Sequence, residues 1–487
     1  MTKKKKEHLL QYILSKADKC DDLILRELVI LKSSYHLLYI EGLCDIEMIE
    51  HRIIRPLLKA RSAEKSLTIK SIKDSILPVG DISLTKCADD AIGKLFSGNT
   101  LLFTHDEEDI LAIDTAKIPE RAVTDPAIET VVRGARDSFT ESIKTNISLV
   151  RKRIKNNNLK VENTILGQRS NTSISIMYID DIVLPDLLHE IKKRLDTIEI
   201  DVVLESGYIE QLIEENTFSP FPQILYTERP DKVAASLLEG RVAIFTDGTP
   251  LVLIAPAVFN EFFISSEDYY ERVLYGSFLR FFRFLASIIG LVTPAFYIAF
   301  SSYHPEMLPT ELILTISGGR ANVPFPPIVE IIAMEFTVEI IREASIRLPG
   351  QIGPTLSIVG ALVLGEAAVS ANLVSPSLII VIALTTIGNI AIPNYSAGAS
   401  LRLLRFLLTF ITAILGLFGL VIGLIFILIH LTSLKSFGIP YFAPYGPFRV
   451  KDVKDTLIRL PMKNINTRPR YLRPLDKIRQ AKRRRKW

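Results

Sequence analysis

Cysteine is scarce: three in 487 residues, Cys20, Cys44 and Cys87. An odd number without metal-ligand spacing gives neither a disulfide framework nor a zinc site, and fits a reduced, cytoplasmic compartment. Tryptophan occurs once and histidine seven times, the histidines scattered along the chain. There is no Walker loop, no G-x-G-x-x-G after a strand, no H-E-x-x-H and no G-x-S-x-G. The sequence therefore offers no catalytic residues, no metal site and no cofactor. A signal peptide is also missing: Lys3 to Lys6 would serve as a basic start, but Gln11, Lys16, Asp18 and Lys19 break up the stretch where an apolar core would be needed. The net charge of +4 is too small to indicate nucleic acid.

The chain does have a long apolar region from Phe278 to Ser433, behind a charged first half and ahead of a basic tail. About 20 apolar residues cross the hydrocarbon core as a helix. Four runs qualify: Phe284 to Phe300, Thr355 to Leu373, Leu378 to Ile392, and Phe406 to Ile429. The last carries no charge, and Gly416, Gly419 and Gly423 repeat along it at near-helical spacing. Buried helices of a soluble protein would not be so uniformly apolar.

Charge sets the expected orientation. The tail ends Lys482-Arg483-Arg484-Arg485-Lys486-Trp487, whereas the segment from His304 to Gly350 is rich in glutamate. Basic flanks stay inside, so both termini are expected in the cytoplasm, with an even number of spans. Arg402 and Arg405 would then sit at the outer edge of the last span, where their long stems can snorkel to the interface.

The first half reads as α/β. Residues 1–30 look like a polar helical lead. Tyr35 to Ile40 reads as a strand, Asp45 caps a helix through Ile53, and Cys87 to Phe96 is a helix closed by Gly98. Thr100 to Phe103 and Ile110 to Ile113 come next as strands. Downstream lie strands at Ile174 to Ile179, Asp201 to Leu204 and Ile224 to Tyr226. Helices are expected at Leu187 to Leu195, Tyr208 to Glu215 and Lys232 to Leu238. Two further strands flank the Asp247-Gly248 turn. Helix, glycine, strand, turn, strand thus occurs twice, which reads as two related subdomains. Between them a helix from Glu141 to Ile154 has Ile143, Ile147, Val150 and Ile154 on one face. Lys144, Arg151 and Lys152 form the other, which is expected to be solvated.

The stretch Val131-Val132-Arg133-Gly134-Ala135-Arg136-Asp137-Ser138-Phe139-Thr140-Glu141, with Thr145-Asn146-Ile147-Ser148-Leu149-Val150-Arg151, resembles the hallmark of the A subunits of spore germinant receptors, the GerA family. Glu239 to Ile244, Asp247 to Pro250, Pro349 to Thr355 and Ile392 to Tyr395 agree with it in order and spacing. Ala135, where the family often has proline, and Asp137-Ser138, where Glu-Gly or Glu-Ser is common, depart from it. The resemblance implies a multi-pass protein of the spore inner membrane. Its partners would be a transporter-like B subunit and a lipoprotein C subunit. It would oligomerise, as a pentamer, into a nutrient-gated cation channel. The alternatives are an accessory channel of the same family linked to dipicolinate release, a secondary transporter, or a non-conducting scaffold.

The expected fold is a multi-pass α-helical membrane domain preceded by two cytoplasmic α/β subdomains. The membrane domain has about four spans plus an interfacial amphipathic helix. The divisions fall at 1–30, 31–122, 123–160, 161–275, 276–433 and 434–487. Within the second apolar run, Glu366 stands out, because a carboxylate in hydrocarbon costs about 3 kcal/mol and faces a bundle interior or a water path. Val359, Leu362, Val363 and Ser370 share its helical face. They are the pore candidates, with Leu362 or Val363 as an apolar constriction that closes by dewetting. A protonated Glu366 bonded to a neighbouring helix is the alternative. Glu330, Glu335, Glu339 and Glu343, on an amphipathic helix between Pro326 and Leu348, are candidates for an acidic vestibule that concentrates cations, or for a plainly solvated face.

Overall fold

The computed structural model describes residues 11–30, 33–60, 67–104, 107–117, 126, 129–346, 363–453 and 455–480. Its N-terminal half holds two five-stranded antiparallel sheets. The first contains β1 (Leu23–Ile30), β2 (Ser33–Ile40), β3 (Ile82–Thr85), β4 (Asn99–Thr104) and β5 (Ile110–Asp114), in the spatial order β1-β2-β4-β5-β3. The second contains β6 (Leu159–Leu166), β7 (Thr172–Ile179), β8 (Leu225–Thr227), β9 (Val242–Thr246) and β10 (Val252–Ala255), in the order β6-β7-β9-β10-β8. The two orders are the same. α1 (Ala88–Leu95) precedes β4, and α2 (Ile143–Arg153) joins the two units. In the second unit α3 (Pro185–Asp196) and α4 (Ser206–Ile213) separate β7 from β8, and α5 (Pro230–Leu237) precedes β9. The first unit matches this with helical turns over 46–59 and 69–76 between β2 and β3.

Alternation along β7 explains the layering. Ile174, Ile176 and Tyr178 pack with α3 and α4, while Met177 and Ile179 pack with α2 and α5. The second sheet is therefore covered on both faces. Three expectations fail here. Leu23–Ile30 is a strand, not part of a helical lead. Asp201 to Leu204 is irregular, although Val203 is buried. And Arg151 is not on a solvated face: it is buried against Asp22, with Nη2 donating to Oδ1 at 2.7 Å, and so ties α2 to the first unit. The hallmark stretch docks on the second unit. Phe139 N–H donates to the Glu228 carbonyl, Gly248 N–H to the Glu141 carbonyl, and the Asn146 side chain bonds both Thr140 backbone groups. A Cβ on Gly134 would meet the Tyr270 ring at 2.9 Å.

The apolar half contains α6 (Val273–Ile298), α7 (Thr310–Arg320), α8 (Pro327–Ile346), a helix over 363–370, α9 (Pro376–Ile390) and α10 (Tyr395–Ser433). Among the described residues two elements are long and apolar enough to cross a membrane, Val273–Tyr303 and Tyr395–Ser433. α10 is not one straight rod. Gly416 has φ 62° and ψ −144°, outside the helical region. Beyond it the chain folds back: a Cβ on Gly423 would lie 2.5 Å from Leu408 Cδ1. Ser400 donates to the Pro220 carbonyl, and His430 Nε2 lies 2.9 Å from Ser219 Oγ. In a straight helix residues 400 and 430 would be about 45 Å apart. Phe406 to Ile429 is thus the tip and inner part of a helical hairpin rather than a single span. Tyr303, at the far end of the first element, hydrogen-bonds the Ala413 and Ile414 carbonyls beside the turn.

Polarity in this half is inverted. Thr409, Thr412, Gly419 and Gly423 of α10 are buried, while Leu407, Phe410, Phe418 and Phe426 are exposed. Small and polar residues pack helix on helix, and apolar ones face outward, as in a bilayer. The segment after α10 is no free tail. Asp455 pairs with Arg280 at 3.1 Å, Leu475 N–H donates to the Ile182 carbonyl at 2.9 Å, and Tyr441 is fully buried.

Candidate functional site

On the expected pore face, Val363, Glu366 and Ser370 are all exposed along the helix over 363–370; Val359 and Leu362 lie outside the described residues. The helix packs through its other side. Ala368 and Val369 join a cluster with Val374, Leu378 and Ile382, and a Cβ on Gly365 would touch Ile379 at 3.8 Å. Helical spacing puts 363, 366 and 370 on one face, and that face has no neighbour within the described residues. An apolar cavity of about 430 Å³ lies behind the helix, between it, α8 and α9, lined by Met334, Val338, Leu364, Ile379 and Ile382.

Of the four acidic candidates of α8, Glu330 and Glu335 do not line a solvated vestibule. Glu330 and Glu335 are buried, and their carboxylates face inward. Glu330 Oε1 lies 3.4 Å from Arg320 Nε, and its Oε2 accepts the Ser375 amide at 2.9 Å. Glu335 pairs with Arg405 at 2.9 Å. Glu339 is shared by Arg402, at 3.2 Å, and Arg342, at 2.7 Å. Glu343 is exposed. On the same helix Val329, Phe336, Ile340 and Ile346 point outward. Arg402 and Arg405 therefore do not snorkel at an outer edge; they face α8 from the rising leg of the hairpin. The opposite polarity, acids out and isoleucines in, is what an aqueous amphipathic helix would require. Three arginines within apolar stretches were the available sign that these carboxylates have inward partners.

The residues missed by pattern alone join the α/β body to the hairpin. The segment 216–223 leaves α4 and enters between the two legs. Asn216 N–H donates to Gln223 Oε1 at 3.2 Å, and Gln223 Nε2 donates back to the Asn216 carbonyl at 2.7 Å, closing the loop. Phe221 stacks on His430 and meets Phe259 edge-on. Movement of this loop bears on both legs at once.

At its root lies an acidic group on α4. Burial, then the neighbouring carboxylates Glu214 and Glu205, push Glu210 up to about 8. Thr249 Oγ1 donates to Glu205 at 3.0 Å, and Gln223 N–H donates to Glu214 at 3.4 Å. The unfolded chain loses the Glu210 proton near the ordinary value of 4.5, the folded one near 8. Within that window the folded state binds the extra proton, so stability falls as pH rises through it and levels off above. Glu210→Gln should flatten this slope. Thermal midpoints across the window check it, and an unchanged slope would assign the pH dependence elsewhere.

A profile of the family described as Bacillus/Clostridium GerA spore germination protein matches residues 11–471. The chain is 45% identical to spore germination protein KA of Bacillus subtilis over 464 residues, 95% of this chain and 85% of that one. It is 39% identical to spore germination protein A1 of the same organism, covering 93% of this chain and 94% of the relative. It is 40% identical to the uncharacterized membrane protein YfkQ, also of Bacillus subtilis, covering 89% and 84%. The crystal structure of the N-terminal domain of the A subunit of the Bacillus megaterium germinant receptor GerK3 aligns with a TM-score of 0.41 at 35% identity, covering 51% of this chain and 94% of that one.

Proposed function

The chain belongs to the GerA family of Bacillus/Clostridium spore germination proteins, and on that premise we propose that it is the A subunit of a nutrient germinant receptor that forms an oligomeric, ligand-gated cation channel in the spore inner membrane. It would act with a transporter-like B subunit and a lipoprotein C subunit, as a pentamer of A subunits. A relative named as a membrane protein and the inverted polarity of α8 and α10 support the membrane reading. The termini would then face the cytoplasm. The two α/β units, the first beginning with β1 at Leu23 and the second with the 434–480 segment docked on it, would form the cytoplasmic body.

The observation that carries the channel reading is Glu366. A carboxylate on the unpartnered face of an apolar helix is unfavourable against lipid, and symmetric association of that face around an axis turns it into a ring beside water. Val363, one turn earlier, then provides an apolar ring that dewets when narrow. The cavity behind the helix gives it room to shift on opening. Force from the α/β body would reach it through the 216–223 loop and the ion pairs between α10 and α8. In spores, Glu366→Gln should leave assembly intact and lower monovalent cation release on nutrient exposure. Normal release from the variant would remove Glu366 from the path.

A further inference from the structure

We propose that the loop over 216–221 is a bilayer-contact surface, with the Phe218 ring seated in the lipid headgroup layer on the side of the α/β body. Phe218 is 98% exposed, the most exposed large apolar side chain among the described residues. It is not a loose tip. Its own amide donates to Asn216 Oδ1 at 3.3 Å, Ser219 N–H donates to the Asn216 carbonyl at 3.1 Å, and Phe221 N–H to Ser219 Oγ at 3.2 Å. The backbone on both sides is thus fixed, and the ring is held outward.

The next residue gives the height. Ser219 Oγ meets His430 in the last turn of the returning leg, and the Pro220 carbonyl accepts from Ser400 near the base of the rising one. From residue 417 to 433 the leg rises about 25 Å, close to the thickness of a hydrocarbon core. Phe218 therefore lies where the leg emerges. Exposed Lys435 comes two residues after the leg, and Tyr275, Phe278, Phe281 and Phe282 are exposed at the base of α6. The base of α6 reaches the α/β body where Phe284 meets Phe263. Aromatic rings at this level and a nearby cation are the composition of a membrane interface. A headgroup layer accepts a ring that water would not.

This inference rests on the membrane reading of α10, so the test separates the two. Phe218→Trp and Phe418→Trp are each made in a Trp487→Phe background, the second as a marker on the outward face of the returning leg, where Phe418 is 68% exposed. The full chain is reconstituted in phosphatidylcholine–phosphatidylglycerol liposomes carrying lipid with a doxyl group high on the acyl chain. The expected result is that both tryptophans emit at shorter wavelength than in water and lose most of their emission to the doxyl lipid. Acrylamide should have little effect on either. Quenching of Phe418→Trp by lipid with Phe218→Trp open to acrylamide overturns the anchor and leaves the membrane reading standing. Protection of Phe218→Trp from both quenchers places protein on the loop and also overturns it. If neither is quenched by lipid, both fall.

Discussion

Glu335→Ala should remove most of the folded protein from membranes, while Glu335→Leu combined with Arg405→Leu should restore it. The pair is 2.9 Å apart, with side chains 3% exposed for Arg405 and 1% for Glu335. Removing one partner leaves a buried, uncompensated charge, and such single losses cost about 3–5 kcal/mol. That is a large share of the roughly 5–15 kcal/mol that holds a domain folded. Glu339 offers little relief, because Arg402 and Arg342 already share it. Replacing both partners with leucine removes the two desolvated groups together, which is often neutral. Folded yield after detergent extraction and the thermal midpoint check this. A double variant no better than Glu335→Ala would mean that α8 and α10 do not meet through this pair.

Gly416→Ala should be far more damaging than Gly423→Ala. Gly416 sits at φ 62° and ψ −144°, where a side chain is strained by about 1–3 kcal/mol. Its Cβ would also lie 2.9 Å from the Tyr303 ring. The alternative, a straight helix of 39 residues, would be about 58 Å long, nearly twice the hydrocarbon thickness. It would also pull Ser433 away from the body on which the C-terminal segment is docked. Gly423 differs: the new methyl meets only the tip of Leu408, which can rotate away. Thermal midpoints of the two variants separate these cases, and equal losses would contradict a break at Gly416.

Most of the strands that sequence made legible are central ones, although β8, read at Ile224 to Tyr226, is an edge. β2, β4, β7 and β9 are dense in apolar residues because both faces are covered, and Leu37 and Leu38 pair with Leu102 and Leu101 across the sheet. β1, also an edge, escaped because charge breaks its pattern. Arg26 and Glu27 interrupt LILRELVI, and half of it faces water, which blurs the alternation. Asp201 to Leu204 misled in the other direction: burying Val203 needs no strand partner.

The site was half legible. Glu366 is conspicuous in a run of apolar residues, where a carboxylate is costly, and the structure leaves it exposed. The direction of the α8 carboxylates was not legible, since spacing alone cannot tell a face turned to water from one turned to arginines on a distant helix. The hairpin left a sign in its length: Tyr395 to Ser433 is too long to cross once. Where it folds depends on Gly416 and on Tyr303, which no local pattern connects.

The central claim is that the face of Val363 and Glu366 surrounds a cation path. Purified chain in potassium-loaded liposomes, with its oligomer size measured in the same preparation, tests it most directly. Wild-type protein without nutrient or partner subunits should hold potassium. Val363→Ala trims the apolar ring in every subunit and should leak it. Adding Glu366→Gln to Val363→Ala should slow the leak while the oligomer stays whole, because the negative ring that draws cations is lost. Liposomes that stay tight with an intact Val363→Ala oligomer would contradict the account and send the search for a path to the hairpin of α10.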